Sequence, residues 1–172
     1  KETIFSSVIK GNTYGHGIEV FVPLAEACGV RHFSVFDASE ALRTLNSRTC
    51  KSDIMIMGAI DNDELEWAIE NDISFYIFNH YRLIKALDIS KSIGKPARVH
   101  LELETGLNRM GLDEKDLEEV VKIITDNKEN FKIEGVSTHF AGAESVNNYL
   151  RIQNQIEKFN IMTNNLKRIN TG

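Results

Sequence analysis

The sequence predicts an α/β fold in which successive strand–helix units build a parallel sheet. Six short runs rich in β-branched and aromatic residues recur at intervals of roughly 20 to 35 residues. Stretches with helical spacing of apolar residues lie between them, and parallel strands need such crossover connections. The alternation fits a doubly wound sheet. It fits equally well a (β/α)8 TIM-type barrel that is incomplete here, with about six units, since a whole barrel takes about 250 residues and this chain has 172.

No linker, low-complexity tract or short repeat interrupts the chain, so we expect one domain over residues 1–172. The predicted strands are Thr3–Ile9, His32–Phe36, Asp53–Met57, Ser74–Phe78, Ala97–Leu103 and Lys132–Thr138.

Apolar stripes and capping residues mark the predicted helices. One stripe begins at Leu117, and a longer one begins at Tyr149. Asp61, followed three residues later by Glu64, has the pattern of a capping box and predicts a helix over 62–70. Two glycines lie where helix C-caps are expected, Gly29 and Gly94.

The composition excludes several classes of protein. Hydrophobic residues make up 42% and charged residues 26%, as in ordinary globular proteins. The net charge of −5 and the lack of a Lys/Arg cluster argue against nucleic-acid binding. No apolar run is long enough to span a membrane. Cys28 and Cys50 follow no CxxC or metal-site spacing, so we expect reduced packing residues in a cytoplasmic protein and no metal site.

Three predicted strands end in residues that could carry chemistry, and both candidate architectures collect ligands at the carboxyl ends of strands. The first strand ends at Lys10, and a glycine-spaced loop with Tyr14 and His16 follows. A partly desolvated amine at the rim of an apolar sheet can form a Schiff base. The alternatives are a solvated strand cap for Lys10 and surface positions for the other two residues. No GxGxxG fingerprint or Walker loop follows this strand, so no nucleotide site is predicted.

The fifth predicted strand alternates strictly between apolar and polar residues. Its two faces carry Val99, Leu101 and Leu103 on one side and His100, Glu102 and Glu104 on the other. In a barrel covered by helices, the apolar face lies outward and the polar face inward, where carboxylates need a cation. Arg109, between two glycines just past the strand, is the obvious cation. The alternative is an edge strand with one solvated face.

The sixth predicted strand ends close to His139, and the small residues Ala141 and Gly142 follow it. Small residues would let a flat ligand approach the strand end. A single histidine in this position is often structural. Three such strand ends on one sheet are harder to explain without a common site.

These three segments resemble the alanine racemase family, pyridoxal-phosphate enzymes with an N-terminal (β/α)8 barrel. The segment VIKGNTYGHG is similar to the family's cofactor-lysine segment, V-K-A-N-A-Y-G-H-G. LETGLNRMGL resembles D-T-G-M-x-R-L-G, and GVSTHFAGAES resembles S-H-F-A-x-A-D/E. The three occur in the family's order and approximate spacing, from about Phe5 to at least Ser145.

The resemblance implies a pyridoxal-phosphate-dependent interconversion of L-alanine and D-alanine, which supplies D-alanine for peptidoglycan. Lys10 would bind pyridoxal 5'-phosphate covalently and act as the base on one face of the substrate. Tyr14 would reach the cofactor phosphate, Arg109 would bond the cofactor's phenolic oxygen, and His139 would pack against the pyridine ring. The implied partners are the amino acid substrate and a second copy in a homodimer, with no nucleic acid or membrane.

The chain departs from the family pattern at Glu102. Many members have a lysine there, which carbon dioxide converts into an anionic carbamate that orients the arginine. We hypothesise that the Glu102 carboxylate replaces the carbamate and pairs with Arg109. Glu104 in place of the usual aspartate, and Gly11-Asn12-Thr13 in place of Ala-Asn-Ala, leave a broader amino-acid specificity open.

The resemblance covers part of the family's architecture. In the family, the last two barrel strands carry most phosphate contacts, and a C-terminal β domain carries the second base; neither lies in 1–172. We therefore expect a partial cofactor-binding barrel domain that is inactive by itself. Three other functions stay open: a racemase of other or several amino acids, a non-catalytic pyridoxal-phosphate barrel protein, and a Schiff-base aldolase that uses Lys10 without a cofactor.

Overall fold

The computed structural model describes residues 3–169 and contains a parallel sheet whose strands follow chain order. The strands are β1 (Ser7–Val8), β2 (His32–Val35), β3 (Asp53–Ile56), β4 (Ser74–Ile77), β5 (Ala97–Glu102) and β6 (Phe131–Ser137). All six predicted strands are therefore confirmed, and the last five differ from prediction by at most one residue at either end. The first is shorter than predicted, because its pairing with β2 is confined to Ser7 and Val8.

Helical segments alternate with the strands, as a parallel sheet requires. They are the short turn α1 (Lys10–Tyr14), whose residues 11–14 have positive φ, and the helices α2 (Ile18–Ala27), α3 (Ala38–Ser47), α4 (Asn62–Glu70), α5 (His80–Ile93), α6 (Leu117–Asp126) and α7 (Tyr149–Ile169). The predicted capping box of Asp61 and Glu64 opens α4. Gly94 is the C-cap of α5 with φ +66°, whereas Gly29 lies one residue beyond the C-cap of α2.

The chain divides into two compact units, Lys1–Tyr76 and Ile77–Gly172. In the first unit β2 and β3 pair along their whole length, from His32 opposite Asp53 to Val35 opposite Ile56. The core of this unit lies between its strands and helices and includes Ile9, Ile18, Phe33, Val35, Ile54, Ile56, Leu65 and Ile69, each at most 1% exposed.

In the second unit β5 and β6 pair in parallel, with an irregularity after Val99. The register brings Glu102, the last residue of β5, opposite Ser137, the last residue of β6. The carboxyl ends of these two strands therefore meet, and the loops that follow them start from the same edge.

Both cysteines are free, but both are exposed. The expectation that they are packing residues is wrong, because Cys28 caps the end of α2 and Cys50 lies in the loop before β3. Among residues 3–169, the helices are too short or too polar to cross a membrane.

Candidate active site

Lys10 lies two residues beyond the end of β1 and directly after the buried Ile9. The residue before it, Ile9, is 0% exposed, and its N–H donates to the carbonyl of Ser34 at 2.9 Å. One backbone hydrogen bond thus joins Ile9 to β2 beyond the paired residues of β1. Lys10 itself is exposed, so its amine is accessible at the carboxyl end of the strand.

Residues 11–14, directly after Lys10, form a left-handed turn with φ between +51° and +62°. This conformation costs about 1–2 kcal/mol for each L-residue that has a Cβ atom, and Gly11 is the one glycine among the four. The β-branched Thr13 is the most restricted of them. Its N–H donates to the carbonyl of Ile9 at 2.9 Å, which joins the turn to the strand end. The loop predicted from its glycines is therefore a defined, strained element.

Tyr14 and His16 both lie on the surface of the first unit. Tyr14 is 65% exposed and His16 is also exposed, whereas Thr13 is buried at 3%. The phenol of Tyr14 and the amine of Lys10 therefore belong to one short turn that is held through its buried threonine.

The alternation of β5 is present as predicted. Val99, Leu101 and Leu103 are at most 4% exposed. Leu101 lines an apolar cavity of about 530 Å³ together with Val121 of α6 and Phe159 of α7. The apolar face of β5 therefore faces helices. The alternative with a solvated polar face is wrong at Glu102, because that residue is only 2% exposed.

Glu102 is a buried carboxylic acid of the second unit. Its Oε2 atom has no hydrogen-bond partner among residues 3–169. Burial raises the pKa of this carboxyl; the charge of Arg109 lowers it and that of Glu104 raises it further, so that the pKa remains above its ordinary value. Arg109 and Glu102 therefore interact through their charges, while the orphaned Oε2 atom is not part of a salt bridge.

The loop that carries Arg109 returns to the end of β5. The N–H of Leu112 donates to the carbonyl of Glu102 at 2.7 Å. The Glu104 carboxylate accepts the N–H of Gly106 at 2.5 Å and that of Asn108 at 2.9 Å. Arg109, which follows these contacts, is exposed. The loop is thus fixed by its own acidic residue and leaves the guanidinium accessible.

His139 lies two residues beyond β6 and is exposed. The two strand ends are joined directly before it, since the hydroxyl oxygens of Thr105 and Thr138 are 2.7 Å apart. Gln155 of α7, 2% exposed, donates to the carbonyl of His139 at 3.4 Å and accepts the N–H of Ala141 at 3.1 Å. The backbone around His139 is therefore held on both sides by one buried amide.

The predicted site residues fall into two groups. Lys10 and Tyr14 belong to the first unit, and Arg109 and His139 belong to the second. Sequence reasoning missed the supporting residues, among them Gln155. In the sequence, Gln155 is a polar residue beside the apolar stripe of α7. This pattern is equally typical of an ordinary surface position, so it did not indicate a buried amide.

The order of strands and helices defines part of a (β/α) barrel, in which Lys10, Arg109 and His139 follow the ends of β1, β5 and β6. A family model described as "Alanine racemase, N-terminal domain" matches residues 2–171. The chain belongs to the alanine racemase family.

Individual relatives agree with this assignment. The chain is 31% identical to an alanine racemase of Methanococcus maripaludis over 81% of its length, and 32% identical to one of Lactobacillus gasseri over 91%. The alanine racemase of Clostridium difficile 630 in complex with cycloserine superposes with a TM-score of 0.86 at 26% identity, covering 100% of this chain and 47% of that one. The chain spans 37% and 41% of the lengths of the first two relatives.

Proposed function

We propose that the protein is a pyridoxal-phosphate-dependent alanine racemase and that residues 1–172 form part of its cofactor-binding barrel. The observation that supports this most is the accessible amine of Lys10 at the carboxyl end of β1, within the family's lysine segment. Bound pyridoxal phosphate would supply the electron sink that makes the α-proton of alanine acidic.

The residues of both units fit such a cofactor. The first unit offers an exposed amine and an exposed phenol on one turn, Lys10 and Tyr14. The second offers the exposed side chains of Arg109 and His139 on loops that are fixed by hydrogen bonds. An orphaned buried carboxylate oxygen, that of Glu102, remains in the same unit.

Each residue has a distinct part in the proposed reaction. Lys10 would hold the cofactor until the amino group of the substrate displaces its Nζ atom, and the freed amine would then accept or return the α-proton on one face of the substrate. Tyr14 binds the cofactor phosphate, and Arg109 binds the phenolic oxygen. His139 orients the pyridine ring by packing against it.

Glu102 acts through Arg109 in this proposal. The charge of Arg109 acts on the Glu102 carboxyl, and a buried anion on this side restricts where the guanidinium rests. The carboxylate thus takes the place of the carbamate of other family members.

The remaining features of the protein are also part of the proposal. The second catalytic base and most phosphate ligands come from residues outside 1–172, including a C-terminal β domain. The enzyme acts as a homodimer in the cytoplasm and supplies D-alanine for peptidoglycan.

The decisive experiment uses the complete natural polypeptide. Pyridoxal phosphate should give it a yellow absorbance that borohydride removes, and reduction should attach the cofactor to Lys10. Lys10→Ala should abolish both signals and racemisation of L-alanine. A colourless protein that reacts with carbonyl substrates would indicate an aldolase, and a coloured protein without racemisation would indicate a cofactor-binding protein. Assays across several amino acids distinguish a broad-specificity racemase.

A further inference from the structure

The strained turn after Lys10 has an unusual set of supports. Local strain of this kind persists only where the surrounding structure over-determines the backbone. Asn12, in the middle of the turn, supplies the required contacts. Its N–H donates to Oε1 of Glu40 at 3.0 Å. Its Oδ1 atom accepts from Nη2 of Arg43 at 2.6 Å and from the N–H of Ile18 at 3.2 Å.

Glu40 connects the ends of two neighbouring strands. Its second oxygen, Oε2, accepts the N–H of Phe36, directly after β2, at 2.9 Å. Glu40 is itself held in the first turn of α3, where its N–H donates to Asp37 at 2.8 Å. One carboxylate therefore fixes both the backbone after β2 and the strained turn after β1.

Arg43 completes this support one helical turn further along α3. Its guanidinium binds both carboxylate oxygens of Glu19 in α2, each at 2.7 Å. The bidentate pairing orients the guanidinium, so that Nη2 also reaches Oδ1 of Asn12. The hydrogen bonds raise the pKa of Arg43 and lower the pKa of Glu19 to about 2, so both groups are charged at neutral pH.

We propose that Glu40 is a positioning residue for Lys10, acting through Asn12, and that Arg43 assists it. Neither side chain is part of the proposed contacts to cofactor or substrate. Their part is to keep residues 11–14 left-handed, because that conformation sets the direction of the chain just after the reactive amine and the position of Tyr14. The identity of the group that Lys10 binds rests on the proposed function. The support of the turn by Glu40 and Arg43 is independent of that function.

The first test needs no cofactor. Proteases cleave extended backbone, so the bonds after Lys10 and Tyr14 should resist trypsin and chymotrypsin in the native protein. Glu40→Ala should speed cleavage at these two bonds by about tenfold, since the turn loses a charge-assisted hydrogen bond. Glu40→Gln, which keeps one acceptor oxygen, should give a smaller increase. Mass spectrometry identifies the bonds that are cut.

Matched variants separate this effect from a general loss of stability. Glu64→Ala removes a similar carboxylate contact, to the N–H of Asp61 at the start of α4, and should leave cleavage at the turn unchanged. Asn12→Asp keeps the acceptor for Arg43 and should behave like the native protein, whereas Asn12→Ala should resemble Glu40→Ala. Equal cleavage in native protein and Glu40→Ala, or equal acceleration by Glu64→Ala, would overturn the proposal.

The second test measures the consequence for Lys10 in the complete polypeptide, using pyridoxal phosphate as the probe. Glu40→Ala should weaken the apparent affinity about tenfold, because the competent turn is populated less, and Glu64→Ala should not. If the native protein takes up no pyridoxal phosphate, the proposed function fails while the proteolysis result still stands. If Glu40→Ala binds as tightly as the native protein, the positioning role is wrong.

Discussion

The side-chain amide of Gln155 holds the backbone at His139 from both directions. It donates to the carbonyl of His139 and accepts the N–H of Ala141. Because Gln155 is 2% exposed, these contacts are made away from water. The side chain of Gln155 also lies against Gly106, where an added Cβ atom would come within 3.2 Å of its Cγ atom. A single residue of α7 thus contacts both loops of the second unit that carry predicted site residues.

Gln155→Leu should therefore destabilise the protein by about 1–3 kcal/mol, since it leaves the buried N–H of Ala141 without its partner. Urea unfolding measures the change. Gln153→Leu, at an exposed position of the same helix, is the control and should change stability little. A Gln155→Leu variant as stable as the native protein would mean that the amide contacts contribute nothing.

Glu102 should make stability fall as the pH rises. Burial raises the pKa of its carboxyl in the folded state, so the native state binds the proton more tightly than the unfolded state does. The contribution of the Glu102 carboxyl to the free energy of unfolding is complete below the ordinary pKa of about 4.3. It is lost as the pH rises through the raised pKa of the folded state. The variant Glu102→Gln has no carboxyl to ionise, so its free energy of unfolding relative to that of the native protein should increase with pH. Equal pH dependence of the two proteins would argue against a raised pKa of Glu102.

The same variant tests the carboxylate as the partner of Arg109. Glu102→Gln keeps the size of the side chain and removes its charge. We expect weaker binding of pyridoxal phosphate by the complete polypeptide even though the variant folds well at neutral pH. Unchanged cofactor affinity and racemase activity would contradict the hypothesis that Glu102 replaces a carbamate.

Glu26 should have the opposite pH dependence. Burial raises the pKa of its carboxyl, but hydrogen bonds from Thr49, Ser52 and Cys50 outweigh burial and lower it to about 2. Its contribution is present above the ordinary pKa and is lost as the pH falls from about 4.3 towards about 2. Glu26→Gln should cost about 1–3 kcal/mol at neutral pH and remove this part of the acid sensitivity. Thermal unfolding measured between pH 7 and pH 2 would reveal both effects.

Gly111 should tolerate no side chain. An added Cβ atom would lie 2.6 Å from the N atom of Glu104 and 2.8 Å from the carbonyl carbon of Leu103, and the residue has φ +130°. Gly111→Ala should therefore push the Arg109 loop off the end of β5 and destabilise the protein by more than 1 kcal/mol. Gly29→Ala is the matched control, because its φ is +93° and nothing lies within 4 Å of the added atom. Similar losses of stability in the two variants would mean that backbone strain causes the loss, rather than the close approach of the added Cβ atom to the backbone of Leu103 and Glu104.

Local patterns were sufficient to predict the elements that position the site. The strict alternation of Val99 to Glu104 predicted both the strand and its buried face, since successive side chains of a strand point to opposite sides. The capping box of Asp61 and Glu64 predicted the first turn of α4, because both partners lie within three residues. The prediction that Cys28 and Cys50 are packing residues was wrong. Whether a residue at the end of a helix or in a loop is buried depends on which distant segments cover it.

The sequence by itself determined the order of strands and helices, and it determined that Lys10, Arg109 and His139 follow the ends of strands. Those features depend on periodicities and motifs a few residues long. The tertiary structure alone decided how the strand ends are held. Glu40 reaches Asn12 across 28 residues, and Gln155 reaches Ala141 across 14. Contacts of this kind form only when the fold brings distant segments together, so no local pattern specifies them.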